Sequence, residues 1–184
     1  MRYFEWMGAA CYTADQRSGA MHGKQFLMDE VFAGIDEKYV YGRLDFVGKV
    51  PEDAFEAVVN LESWANHAGK PRREMRLGAA VDGGRMQSWK VTQGEKVVAD
   101  STDAKDARVA LDRNFEFRLP LTWLLAAPLE IDKVRGPKSS DVLTVRLRLR
   151  FSLWQNHLPV DALPVEGWIE LELLTEEDLA AVSG

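Results

Sequence analysis

Residues 142–154 read Val142-Leu143-Thr144-Val145-Arg146-Leu147-Arg148-Leu149-Arg150-Phe151-Ser152-Leu153-Trp154. From Leu143 to Leu153 every second residue is apolar, and between them stand Thr144, Arg146, Arg148, Arg150, Ser152 and finally Trp154. Successive side chains of an extended backbone point to opposite faces, so this stretch predicts a long strand with one buried and one polar face. A helix would scatter the same residues around its circumference. One wet face favours an antiparallel sheet over a parallel one covered on both sides.

The same period recurs elsewhere. Val40, Leu44 and Phe46 alternate against Tyr39, Tyr41, Arg43 and Asp45. Phe55, Ala57, Val59 and Leu61 oppose Glu56 and Asn60, while Phe115, Phe117 and Leu119 oppose Glu116 and Arg118. Ile169, Leu171 and Leu173 oppose Glu170 and Glu172. Residues 2–13 and 25–35 are apolar and aromatic enough for strands, with looser alternation. Turn chemistry separates these runs at 17–19, 35–38, 82–84, 93–95 and 112–114. Asp82-Gly83-Gly84 predicts a hairpin. Many short strands with regular turns predict an all-β fold, an antiparallel sandwich or barrel.

Helix is scarce. Pro120 to Ala127 predicts two turns, started by Pro120 and ended by Pro128. Thr175 to Val182 predicts a short terminal helix, with Thr175 and Asp178 at capping-box spacing. Residues 100–107 and 135–141 read as loops, and Asn156 to Pro164 as a loop that covers Trp154. No linker or internal repeat divides the chain, so residues 1–184 read as a single domain.

With 184 residues, the chain can bury about 70% of its unfolded surface. A net charge of −6 argues against nucleic acid and against an anionic membrane surface. Cys11 is the only cysteine, which excludes an internal disulfide and suits a reducing, cytoplasmic setting. The first residues do not read as a signal peptide, because Glu5 interrupts the apolar run.

Catalytic motifs are absent. His22, His67 and His157 are isolated, no cysteine pair assists zinc, and no nucleophile elbow or phosphate-binding glycine loop occurs. The expectation is no catalytic residue, no metal and no cofactor. Met21 and His22 are adjacent and would point to opposite faces of a strand, which argues against a haem site.

Six tryptophans ask for an explanation. Aromatic rings stack on the C–H faces of sugars while polar neighbours bond the hydroxyls. Any one Trp is more simply core, but Trp154 follows the arginine stripe on the polar face, where a ring needs cover. The arginines themselves are explained if 168–174 pairs alongside, setting Glu170 and Glu172 opposite them as ion pairs.

Three segments carry a family resemblance. They are Tyr3-Phe4-Glu5-Trp6-Met7-Gly8-Ala9 with Asp15-Gln16-Arg17-Ser18-Gly19-Ala20-Met21-His22-Gly23; Phe115-Glu116-Phe117-Arg118-Leu119-Pro120-Leu121; and Phe151-Ser152-Leu153-Trp154-Gln155 leading through Leu158-Pro159-Val160-Asp161-Ala162-Leu163-Pro164 to Gly167-Trp168. Together they resemble the β-rich region that follows the catalytic barrel of bacterial family 57 glycoside hydrolases. They also resemble the wider group of sugar- and haem-binding sandwiches that includes family 9 carbohydrate-binding modules and the glucodextranase C-terminal domain. The resemblance implies an all-β antiparallel β-sandwich, immunoglobulin-like or DOMON-like and of jelly-roll type, as a C-terminal piece of a larger glycoside hydrolase whose catalytic carboxylates lie on an N-terminal barrel. The implied partners are that barrel and an α-glucan or oligosaccharide. Candidate sugar contacts are Trp154, Trp64 and Trp89, with Arg17, His22 and Asp161 as polar neighbours. The alternative is a structural module that packs on the barrel without binding sugar.

Overall fold

The strand read from 142–154 is present as Val145–Gln155. The computed structural model describes residues 10–13, 26–64, 73–125 and 145–173. Residues 2–9, the 17–19 turn, Met21, His22, Leu143 and Thr144, the 135–141 loop and the 175–182 helix lie outside the described residues.

The described strands are β1 (Ala10–Thr13), β2 (Met28–Ile35), β3 (Tyr39–Phe46), β4 (Phe55–Trp64), β5 (Arg73–Asp82), β6 (Arg85–Gln93), β7 (Lys96–Asp100), β8 (Arg108–Leu111), β9 (Asn114–Pro120), β10 (Val145–Gln155), β11 (Leu158–Leu163) and β12 (Ile169–Leu173). They form two antiparallel sheets. The first has the order β1-β2-β3-β9-β8. In the second, β4, β5, β6 and β7 follow one another as a meander, and β10 lies on the far side of β4. The outer edge of β10 carries β11 along one half and β12 along the other. The chain passes from the first sheet to the second between β3 and β4, returns between β7 and β8, and passes to the second again between β9 and β10. β3 pairs β9 in the first sheet, and β4 pairs β10 in the second.

Alternation explains the core. Leu147, Leu149, Phe151 and Leu153 of β10 are buried, as are Val40, Leu44 and Phe46 of β3 and Phe115, Phe117 and Leu119 of β9. Ala57, Val59 and Leu61 of β4 complete the contact from the second sheet. The two layers meet at aromatic pairs: Phe117 against Phe151 at 6.1 Å and Phe46 against Phe55 at 5.8 Å between centroids. Gly42 permits the approach, since a Cβ there would lie 2.2 Å from Phe117 and 2.9 Å from Phe151. The architecture is therefore the expected antiparallel sandwich.

The arginine stripe is a set of cross-strand contacts. Register places Arg146 opposite Glu172 and Arg148 opposite Glu170. Arg146 pairs with Glu172 at 2.8 Å as expected. Arg148 instead pairs with Glu62 of β4 at 2.6 Å and stacks over Trp168, its guanidinium carbon 4.6 Å from the ring centroid. Such partly exposed pairs contribute about 0–1 kcal/mol each.

Two local expectations are corrected. Pro120 ends β9, and only a single 3-10 turn, Leu121–Trp123, follows within the described residues. Tertiary bonds anchor that turn: Leu121 N–H donates to the Lys38 carbonyl at 2.8 Å, and Ser63 Oγ donates to the Leu124 carbonyl at 2.6 Å. The segment after Trp154 is not a loop. Asn156 and His157 make a two-residue turn and β11 returns along β10, its Pro159 tolerated on an edge strand. The 82–84 turn is as expected, with Gly83 and Gly84 at φ +57° and +68°, the left-handed pair that a tight hairpin requires. Among the described residues no helix is long and apolar enough to cross a membrane.

Candidate functional site: a cleft on the outer face of the second sheet

Register decides what stands beside Trp154. Its row across the sheet runs Trp154, Glu56, Ala80, Ser88. The next row runs Ser152, Val58, Gly78, Lys90, and the one after it Arg150, Asn60, Arg76, Thr92. Ala80 is small, so the Trp154 row leaves a depression between larger side chains. The result is an open cleft of about 570 Å³, walled by Trp154, Glu56, Arg76, Asp82, Gln87 and the Asn156-His157 turn.

Each wall is held. The Trp154 ring is partly exposed, and its Nε1–H donates to Ser152 Oγ at 2.9 Å. Arg76 Nη2 lies 2.9 Å from Glu56 Oε1, and both side chains keep more than a third of their surface in solvent, at 38% and 36%. Gln87 Nε2 donates to the carbonyls of Asp82 and Arg85, which steadies the hairpin tip. Asn156 and His157 occupy left-handed backbone at φ +49° and +64°. Val58 is 2% exposed yet lies outside the core cluster. On an outer face such burial requires larger neighbours to fold over it. Trp154, bonded back to Ser152, and the Glu56–Arg76 pair, lying over Gly78, supply that cover.

Glu56 and Asp82 stand against Arg76, which leaves one negative charge in excess. Phe55, Ala54, Ala80 and Val81 add apolar surface. The arrangement offers an aromatic ring, an apolar floor, donors and acceptors. No serine, threonine or cysteine lines it. Among the described residues no cluster of His, Cys, Asp and Glu could hold a metal ion.

The candidates read from sequence separate here. Trp154 stands in the cleft. Trp89 does not: it is 7% exposed within the core cluster, so neither ring face is open to a ligand. Asp161 is 4% exposed, and its carboxylate accepts from Leu27 N–H at 2.8 Å, Met28 N–H at 2.9 Å and Ala162 N–H at 2.9 Å. It ties β11 to the start of β2 instead of facing solvent. The backbone of Trp64 pairs with Arg146, and its side chain lies outside the described residues, as do Arg17 and His22. Sequence reasoning missed Glu56, Arg76, Asp82, Gln87 and Asn156 as a group. The one signal was Gly78, a glycine inside a strand, which marks a close approach.

The outer face of the first sheet is closed by its own contacts. Tyr41 Oη donates to Asp36 at 2.6 Å and Tyr39 Oη to Asp106 at 2.8 Å. Arg118 stacks 4.2 Å from the Tyr39 ring centroid, and Arg43 grips Asp45 through two bonds of 2.6 and 2.7 Å. Comparison with protein-family models, curated proteins and solved structures found no match for this chain.

Proposed function

We propose that this chain is a non-catalytic, carbohydrate-binding accessory module of a cytoplasmic α-glucan-acting glycoside hydrolase, and that the cleft beside Trp154 takes the sugar. One observation carries the reading: the partly exposed indole stands in an open cleft with Glu56, Arg76, Gln87 and Asn156 around it. A pyranose needs that combination, an apolar surface for its C–H face and placed polar groups for its hydroxyls. A module of this kind raises the substrate concentration near a tethered catalytic domain. The family resemblance of the Trp154 strand supports the same ligand class.

Titration of tryptophan fluorescence with maltooligosaccharides tests it. The expected result is a saturable change at millimolar sugar, about −4 kcal/mol of binding free energy. Trp154→Ala abolishes the change and leaves the β circular-dichroism spectrum intact. Absence of both fluorescence change and calorimetric heat at millimolar sugar overturns the proposal.

A further inference from the structure

Gly78 stands inside β5 without a positive φ, so no turn or backbone twist requires a glycine there. Its nearest neighbours give the reason. A Cβ on residue 78 would lie 2.4 Å from Glu56 Oε1 and 3.0 Å from an Arg76 guanidinium nitrogen. The bare glycine is the seat on which the Glu56–Arg76 pair lies flat against the sheet. Within that pair Oε1 of Glu56 faces Arg76. The second carboxylate oxygen remains an acceptor and the guanidinium keeps further N–H donors. The two side chains therefore present an acceptor and donors side by side, with Glu56 directly across from Trp154 in the same row.

We infer that the Glu56–Arg76 pair, seated by Gly78, reads two adjacent hydroxyls of a sugar ring stacked against Trp154, which makes Gly78 a specificity-determining position. The inference rests on the sugar-binding reading above and names the part of the ligand that the site reads. A vicinal diol matches the pair: one hydroxyl donates to the carboxylate while its neighbour accepts from the guanidinium. A ring with those oxygens methylated offers no proton to Glu56. A site built around a hydroxyl rejects an analogue that cannot complete the bond.

Gly78→Ala is the sharp test, because the atom it displaces is the far end of a flexible side chain. The fold survives at little cost, while the ion pair must leave its seat. Calorimetric titration compares maltotriose with an analogue methylated at O2 and O3. Wild-type protein is expected to prefer maltotriose by about tenfold or more. Gly78→Ala, with an unchanged or higher melting temperature, is expected to lose affinity for maltotriose and with it the preference. Glu56→Gln, which leaves the backbone untouched, is expected to do the same and decides the matter should Gly78→Ala fail to fold. Folded variants that bind maltotriose as tightly as wild type, with the preference intact, overturn the inference and leave the sugar-binding reading standing. Wild-type protein that binds neither sugar overturns both.

Discussion

Tyr41 shows how one side chain on an open sheet face becomes fixed. Alternation places it on the outer face of β3, and the Asp36 turn brings a carboxylate to its hydroxyl at 2.6 Å. Partial burial, then the hydrogen bond and charge of Asp36, push its phenol up to about 12. The neutral phenol thus favours the folded state. That contribution is complete below the ordinary value of 10.0 and is lost as pH rises through about 12. Spectrophotometric titration is expected to show a late-ionising phenol that disappears in Tyr41→Phe. Loss of an ordinary phenol instead would contradict the assignment. Here the sequence showed the direction of the side chain. It could not show the partner oxygen, because that depends on how tightly the turn at 36–38 closes.

At the scale of the element, the β10–β11 hairpin is the instructive case. Gln155 pairs with Leu158, leaving Asn156 and His157 as a two-residue turn with both φ positive. Asparagine tolerates that conformation; histidine does so at a cost that glycine avoids. His157→Gly is therefore expected to stabilise the protein by about 0.5–1 kcal/mol, less the extra freedom that glycine gives the unfolded chain. Urea unfolding measures the change, and a loss of stability would mean that the imidazole contributes more than its backbone strain. Pro159 and Pro164 made this segment read as a loop. An edge strand has one side without a ladder, so the missing N–H of Pro159 is harmless there. Sequence could not separate an edge strand from a loop, because the distinction lies in what stands on the other side. In place of the start of the 120–127 helix, the described residues hold one 3-10 turn, anchored at its two ends by the Lys38 carbonyl and by Ser63, partners that only the fold brings near.

At the scale of the whole molecule, the two sheets are joined by more than apolar contact. Asp161 of β11 accepts the backbone N–H groups of Leu27 and Met28, which lead into β2. Asp161→Asn keeps the shape but loses the charge and sets an amide N–H₂ against those donors. It is expected to cost about 1.5–3 kcal/mol by urea unfolding, with an unchanged denaturant slope. The sugar titration should not move, since the residue faces away from the cleft; a changed ligand response would restore Asp161 as a contact. By itself the sequence determined which side chains of each strand are apolar-facing, from Val40 through Phe151, because side-chain direction along an extended chain is a local property. It also marked Trp154 as a ring on the polar face. Only the tertiary structure decided that Trp89 is core, that Asp161 bridges the sheets, and that Glu56, Ala80 and Arg76 stand beside Trp154. Those neighbours come from strands distant in sequence, and register between strands is set by pairing across the whole sheet, which no single segment encodes.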